Sequence, residues 1–109
     1  MPTLVAGIAR RVLVADDDAV ILRLLEVNFS LEGYEVTTAD RGEAALELAG
    51  DRHYDLIVLD VMMPGMDGWE VCERLKADPS TAGIPVIFLS ARTQDATTHA
   101  AYSRIRFSG

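Results

Sequence analysis

The feature that most constrains this chain is a repeated alternation of short apolar runs with segments of helical periodicity. Three runs are apolar at all four positions, namely residues 12–15, 56–59 and 86–89. Such a run predicts a strand that is covered on both faces, which is typical of parallel sheets. Parallel neighbours require crossover connections, so the alternation predicts an α/β fold with helices on both faces of the sheet.

The segment after the first run has the period of a helix. Apolar residues follow positions i, i+4, i+7 and i+11 of a helix that begins at Ala19, and they form one stripe: Val20, Leu24, Val27 and Leu31. Gly33 ends this helix. Residues 34–39 then predict a second strand, which is more polar than the others and therefore lies nearer an edge of the sheet.

Two further helices begin at capping signals. Residues 40–43 have the D-x-x-E form of a capping box and open a helix that ends near Gly50. Asp67 and Glu70 repeat this signal at the start of a third helix. That helix ends at Pro79, and its predicted buried stripe contains Val71, Cys72 and Leu75.

The end of the chain departs from this regularity. Residues 95–103 predict a fourth helix, but Arg104, Arg106 and Phe107 carry no clear strand signal. Either the sheet has four strands or its fifth unit is incomplete.

Size and charge limit the classes of function. A chain of 109 residues fits one domain. The formal charge of −7 makes nucleic acid and anionic membranes poor partners, because the protein's field repels their phosphates. A single cysteine, Cys72, excludes an internal disulfide and a cysteine-rich metal site. Without a secretory signal or a membrane span, we expect a cytoplasmic protein.

Two of the apolar runs end in acidic residues. Asp16 and Asp17 follow the first run, and Asp60 follows the third strand. Ligands bind at the carboxyl ends of strands in open α/β sheets, so neighbouring strands would bring three carboxylates into one crevice. Carboxylate oxygens without histidine or thiolate ligands favour Mg²⁺, which often binds together with a phosphate. The pattern predicts a Mg²⁺ site that receives a phosphoryl group.

Each of these residues also has a purely structural interpretation, without a role in binding. Asp18 would cap the helix that begins at Ala19, and Asp60 alone would be an ordinary loop acid. Ser90, at the end of the fourth strand, would be a cap or a group on the same rim. The turn at residues 64–65 leaves a backbone carbonyl, such as that of Met62, available near Asp60.

Three segments resemble the receiver domain of two-component response regulators. They are residues 12–18 (VLVADDD), residues 55–68 (DLIVLDVMMPGMDG) and residues 85–92 (PVIFLSAR). The resemblance covers about residues 10–102 and leaves residues 103–109 as an atypical tail of one receiver-like domain, residues 1–109. It implies a flavodoxin-like, doubly wound parallel sheet of the (βα)₅ type with strand order 2-1-3-4-5.

The resemblance also implies roles for individual residues. Asp60 would be the phosphoacceptor, and its donor a sensor histidine kinase or a phosphotransfer protein. Mg²⁺, or Mn²⁺ in its place, would bind Asp17, Asp60 and the backbone carbonyl of Met62 directly, with Asp16 acting through water. Ser90 would hydrogen-bond the phosphoryl group, assisted by the N–H of Ala91. The domain would be a phosphoacceptor rather than an enzyme, with at most slow self-dephosphorylation.

The chain departs from the family pattern after about residue 102, so we expect a truncated or altered receiver. The family's fifth strand, its lysine and its fifth helix have no counterpart, and the single lysine, Lys76, belongs to the third helix. We expect no output domain to follow. Without a fifth strand, residues 86–89 would form an exposed apolar edge through which chains self-associate.

Two alternatives remain at the level of sequence. The first is a receiver-shaped interaction module that binds a partner without being phosphorylated, because the reporting lysine is missing. The second is a phosphatase of the haloacid dehalogenase type, whose D-x-D motif would make Asp16 the nucleophile and Asp18 the acid/base.

Overall fold

The computed structural model describes residues 10–89 and the backbone of residues 105–108. Strands and helices alternate as far as the fourth strand. Their bounds are β1 Arg11–Ala15, α1 Ala19–Leu31, β2 Glu35–Ala39, α2 Gly42–Asp51, β3 Leu56–Asp60, α3 Gly68–Ala77, β4 Val86–Leu89 and β5 Ile105–Ser108. The predicted alternation of strand and helix is therefore confirmed for residues 10–89.

The sheet has the order β2-β1-β3-β4-β5, and its first four strands are parallel. β1 and β3 are neighbours, and Ala15 pairs with Leu59. The residues that follow this pair, Asp16 and Asp60, therefore stand at the same height on the carboxyl edge of the sheet. The more polar β2 lies at the edge, as its composition predicts.

Two apolar clusters cover the two faces of the sheet. On one face, Leu13, Ile57 and Leu59 pack with residues of α2 and α3. On the other face, Val12, Val14 and Val58 pack with Leu25 of α1. Successive strand residues alternate between the two clusters, which explains why these runs are apolar at every position. Within the described part of the chain, no helix is long and apolar enough to cross a membrane.

The stripe that the sequence indicates on α1 is not its buried face. Val20 is 74% exposed and Leu31 is 75% exposed, whereas Leu25 is 4% exposed. Leu25 faces the sheet together with the partly buried side chains of Ile21, Leu22 and Phe29. Both sets of residues satisfy a period of 3.6, so the period alone does not select the side that contacts the strands.

The capping prediction is wrong for α2. Its N-cap is Arg41, without a side-chain hydrogen bond, and the helix begins at Gly42. The carboxylate of Asp40 accepts a hydrogen bond from the Arg41 guanidinium instead. The first residue of the helix is closely packed, because a Cβ on Gly42 would lie only 2.7 Å from the Met66 carbonyl oxygen.

The corresponding prediction is confirmed for α3. The Asp67 carboxylate accepts a hydrogen bond of 2.9 Å from the N–H of Glu70, as an N-cap residue does. Val71, Cys72 and Leu75 are buried on the side that faces the sheet. The helix ends at Ala77, two residues before Pro79.

The strand at the end of the chain, β5, contradicts a second group of predictions. β5 pairs with β4 in antiparallel orientation, from Leu89 opposite Ile105 to Val86 opposite Ser108. The outer edge of β4 is thus covered by this chain's own strand, so the prediction of an exposed, self-associating edge is wrong. The backbone groups of β4 need hydrogen-bond partners, and four residues with little strand signal suffice to supply them. The helix predicted for residues 95–103 lies outside the described residues.

Candidate functional site

Three carboxylates meet at the carboxyl edge of the sheet. Asp16 and Asp17 follow β1, Asp60 ends β3, and one oxygen of each lies within 4.8 Å of the others. Asp16 and Asp60 are each 4% exposed, whereas Asp17 is exposed to solvent. The convergence predicted from two strands that end in aspartate is therefore confirmed.

Backbone hydrogen bonds hold the two buried carboxylates in place. The N–H of Asp16 donates to the carbonyl of Ala39, which extends the pairing with β2 by one residue. Its Oδ1 accepts a bond of 2.9 Å from the N–H of Asp18. In the same way, Oδ1 of Asp60 accepts a bond of 3.2 Å from the N–H of Met62. In both cases, the backbone N–H two residues further along the chain donates to the carboxylate at the end of the strand.

The electrostatics of this cluster are dominated by the close approach of its carboxylates. The pKa of Asp16 is raised to about 7, chiefly by burial and also by the adjacent carboxylates of Asp60 and Asp17. The hydrogen bond from the Asp18 N–H acts in the opposite direction. At neutral pH the cluster therefore holds a proton or, in its place, a cation.

The donor set fits Mg²⁺. All three side chains offer hard carboxylate oxygens. Bonds of about 2.1 Å in an octahedron place neighbouring ligand oxygens about 3 Å apart and opposite ones about 4 Å apart. One carboxylate oxygen of each of the three residues lies within 4.8 Å of the others, which is close to this spacing.

Asp18 has the structural role that the sequence left open. Its carboxylate accepts hydrogen bonds from the N–H groups of Val20 (2.9 Å) and Ile21 (3.3 Å), and it caps α1. This engagement removes support from the phosphatase alternative, in which Asp18 would act as an acid/base.

Of the other predicted site residues, the structure describes some and not others. Met62 lies beside the cluster and bonds Asp60 through its N–H. Ser90 and Ala91 lie outside the described residues, so their roles remain predictions. The Lys76 ammonium donates to the carbonyl groups of Ala82 and Ile84, each at 3.1 Å. It joins the end of α3 to the loop before β4, in agreement with the expectation that it does not serve the site.

The loop between β3 and α3 contains a feature that the sequence did not reveal. Gly68, the first residue of α3, donates its N–H to the carbonyl of Val61 at 3.0 Å and so closes the loop. Its Cα rests against the backbone of Asp60. Within the loop, Gly65 has a φ of +76°, which permits the turn after Pro64. A glycine directly after the N-cap Asp67 was the available signal, because glycine is a poor helix former.

Comparison with known families agrees with this geometry. Residues 12–105 match the family model of the response regulator receiver domain. The response regulator PleD of Caulobacter vibrioides is 52% identical over 81 residues, which are 74% of this chain and 18% of PleD. The chain spans 18% of the length of PleD and 35% of the length of the transcriptional regulatory protein AfsQ1 of Streptomyces coelicolor.

Solved structures are similar in both fold and sequence. The N-terminal domain of a response regulator receiver protein from Methanoculleus marisnigri has a TM-score of 0.72 and 40% identity, over 85% of this chain and 74% of that one. Response regulator TrrA from Thermotoga maritima, solved in complex with Mg²⁺-BeF, has a TM-score of 0.61 and 43% identity. That match covers 62% of this chain and 59% of TrrA.

Proposed function

Because this chain belongs to the family of response regulator receiver domains, we propose that it accepts a phosphoryl group on Asp60. The single observation that carries the proposal is the cluster of Asp16, Asp17 and Asp60 at the ends of adjacent parallel strands. Receiver domains are phosphoacceptor signalling domains, and this cluster supplies the carboxylates that such chemistry requires.

In the proposed reaction, a carboxylate oxygen of Asp60 attacks the phosphorus atom of a phosphohistidine. The P–N bond breaks, the donor imidazole leaves, and Asp60 becomes an aspartyl phosphate. Asp60 is already oriented by the N–H of Met62 and is shielded from most solvent. Such preorganisation lowers the cost of aligning the nucleophile with the P–N bond.

Receiver domains bind Mg²⁺ in an acidic pocket, and we propose that Asp17, Asp60 and the carbonyl of Met62 bind it here, with Asp16 acting through water. When bound, the ion supplies positive charge that stabilises the transferring phosphoryl oxygens. The complex of the related TrrA with Mg²⁺-BeF supports this assignment. The same oxygen donors suit Mn²⁺, which we propose as a working substitute.

The proposal includes Ser90 and Ala91 as the groups that hydrogen-bond the phosphoryl oxygens, since they follow β4 beside β3 in the sheet. We further propose that residues 1–109 form one domain that acts in the cytoplasm. It would have no catalytic turnover beyond slow hydrolysis of its own phosphoryl group.

A protein donor needs a surface beside the acidic cluster. The apolar row on α1 that remains exposed, Val20, Val27 and Leu31, begins two residues after Asp18. Its spacing suits contact with another helix. We propose that a histidine kinase or a phosphotransfer protein rests on this row while its phosphohistidine reaches Asp60.

The test is the intact mass of the protein after incubation with acetyl phosphate and Mg²⁺. We expect one added phosphoryl group, which is absent without Mg²⁺ and absent in Asp60→Asn. Asp40→Asn is the matched control, because Asp40 follows the adjacent strand β2 but is exposed and paired with Arg41. A folded wild-type protein that gains no mass would contradict the proposal and favour a receiver-shaped interaction module.

A further inference from the structure

The contact between α3 and the end of β3 leaves no room for a side chain at Gly68. An ideal Cβ at this position would overlap the carbonyl oxygen of Asp60. It would also lie 3.0 Å from the carbonyl carbon of Asp60 and 3.0 Å from the Cα of Val61. All three atoms belong to the backbone, so no side-chain rotation relieves the overlap.

Gly68 is the first residue of α3, and glycine at this position calls for a reason. Glycine favours a helix less than alanine does. The φ angle of Gly68 is not in the positive range, so backbone freedom does not explain its presence. The close approach to Asp60 does explain it, because only hydrogen fits in the space where the Cβ would lie.

The same contact leads directly to the acidic cluster. Gly68 touches the backbone of Asp60 and bonds the carbonyl of Val61, and the next residue, Met62, donates its N–H to the Asp60 carboxylate. Any shift of the Asp60 carbonyl that made room for a Cβ would move its side chain and this N–H together. Metal sites tolerate only about 0.2 Å of error in ligand distances, so a small shift matters.

We propose that Gly68 is a positioning residue, whose missing side chain lets α3 begin on the backbone of Asp60 and so holds the Asp60 carboxylate in place for Mg²⁺. The inference rests on the proposed function, since it assumes that the cluster binds the ion. It predicts that Gly68→Ala weakens Mg²⁺ binding about 10- to 100-fold, the range found when groups that orient metal ligands are removed.

Two other glycines provide matched controls. Gly42 is also crowded, since a Cβ there would lie 2.7 Å from the Met66 carbonyl oxygen and 2.8 Å from a methyl carbon of Val71. Neither of these contacts involves Asp60, so Gly42→Ala should lower stability and leave Mg²⁺ affinity within about twofold of wild type. Gly50 has no atom within 4 Å of its Cβ position, so Gly50→Ala should leave both quantities unimpaired.

The experiment measures two quantities for each variant of the full chain. Urea unfolding gives the stability, and calorimetric titration with Mg²⁺ under folding conditions gives the affinity. Selective loss of affinity in Gly68→Ala supports the inference. Wild-type affinity in Gly68→Ala, or an equal loss in Gly42→Ala, overturns it. A wild-type protein that does not bind Mg²⁺ overturns the proposed function itself.

If Gly68→Ala does not fold, an NMR measurement on the wild-type protein tests the positioning role of Gly68. Backbone amide resonances are followed by NMR during a Mg²⁺ titration. The amide of Gly68 should shift along the same saturation curve as that of Met62, while the amide of Gly50 stays in place. A Gly68 amide that does not respond to saturating Mg²⁺ refutes the positioning role.

Discussion

Replacement of Asp16 by asparagine should stabilise the metal-free protein at alkaline pH. The carboxylate of Asp16 is buried beside those of Asp60 and Asp17, and burial is the main reason why its pKa rises to about 7. Asparagine has nearly the same shape, and its Oδ1 accepts the hydrogen bond that the Asp18 N–H now donates to Asp16. The substitution therefore removes a buried charge and retains the local contact.

The magnitude follows from the difference between the folded pKa of about 7 and the ordinary aspartate pKa of 3.8. At about 1.4 kcal/mol for each pKa unit, full ionisation would cost the fold about 4 kcal/mol. The site opens to solvent at Asp17, and screening by water reduces the expected cost to about 2 kcal/mol. Because the folded state binds the proton more tightly, stability falls as the pH rises from about 4 to about 7.

Urea unfolding at pH 5 and pH 8 in the presence of a chelator measures this effect. Asp16→Asn should exceed the wild-type free energy of unfolding by about 1 kcal/mol at pH 5 and by about 2 kcal/mol at pH 8. Asp40→Asn, at an exposed carboxylate, should remain within about 0.5 kcal/mol of wild type at both values. An Asp16→Asn protein no more stable than wild type at pH 8 would refute this reasoning.

Two further predictions concern the core. Tyr54 is 1% exposed, and within the described residues its hydroxyl oxygen has no hydrogen-bond partner. Tyr54→Phe should therefore raise the free energy of unfolding by about 1 kcal/mol or more in urea titrations, and a clear loss would indicate a hidden partner. Leu25→Ala should cost about 2–5 kcal/mol, whereas Leu31→Ala should change stability by less than about 0.5 kcal/mol. Similar losses in both leucine variants, measured by thermal unfolding, would contradict the assignment of the buried face of α1.

Much of the site was accessible from local sequence. Three of the strand signals are runs of apolar residues, and Asp16 and Asp60 stand directly after two of them. Parallel strands place their carboxyl ends on one edge, so the convergence of the acids followed once these strands were taken as neighbours. The cap of α3 was equally local, since Asp67 and Glu70 lie three positions apart and bond each other within one turn.

Two of the errors concern the helices, where the local pattern does not determine the arrangement. Helix α1 carries apolar residues on two sides, and only contact with the strands selects Leu25 over Val20 and Leu31. Helix α2 begins at Gly42 without a side-chain cap, and Gly42 lies close to Met66, a residue far away in sequence. A pattern of capping residues gives no information about a contact between such distant residues.

The sequence by itself determined the order of strands and helices, the parallel α/β class and the acidic character of the site. These properties depend on hydrophobic periodicity and on the residue types at strand ends, which act over a few positions. Only the tertiary structure decided which face of α1 is buried, that β5 pairs antiparallel with β4, and that Gly68 rests on Asp60. Those outcomes depend on contacts between distant segments, where the free energy of packing and the pairing of backbone groups select one arrangement.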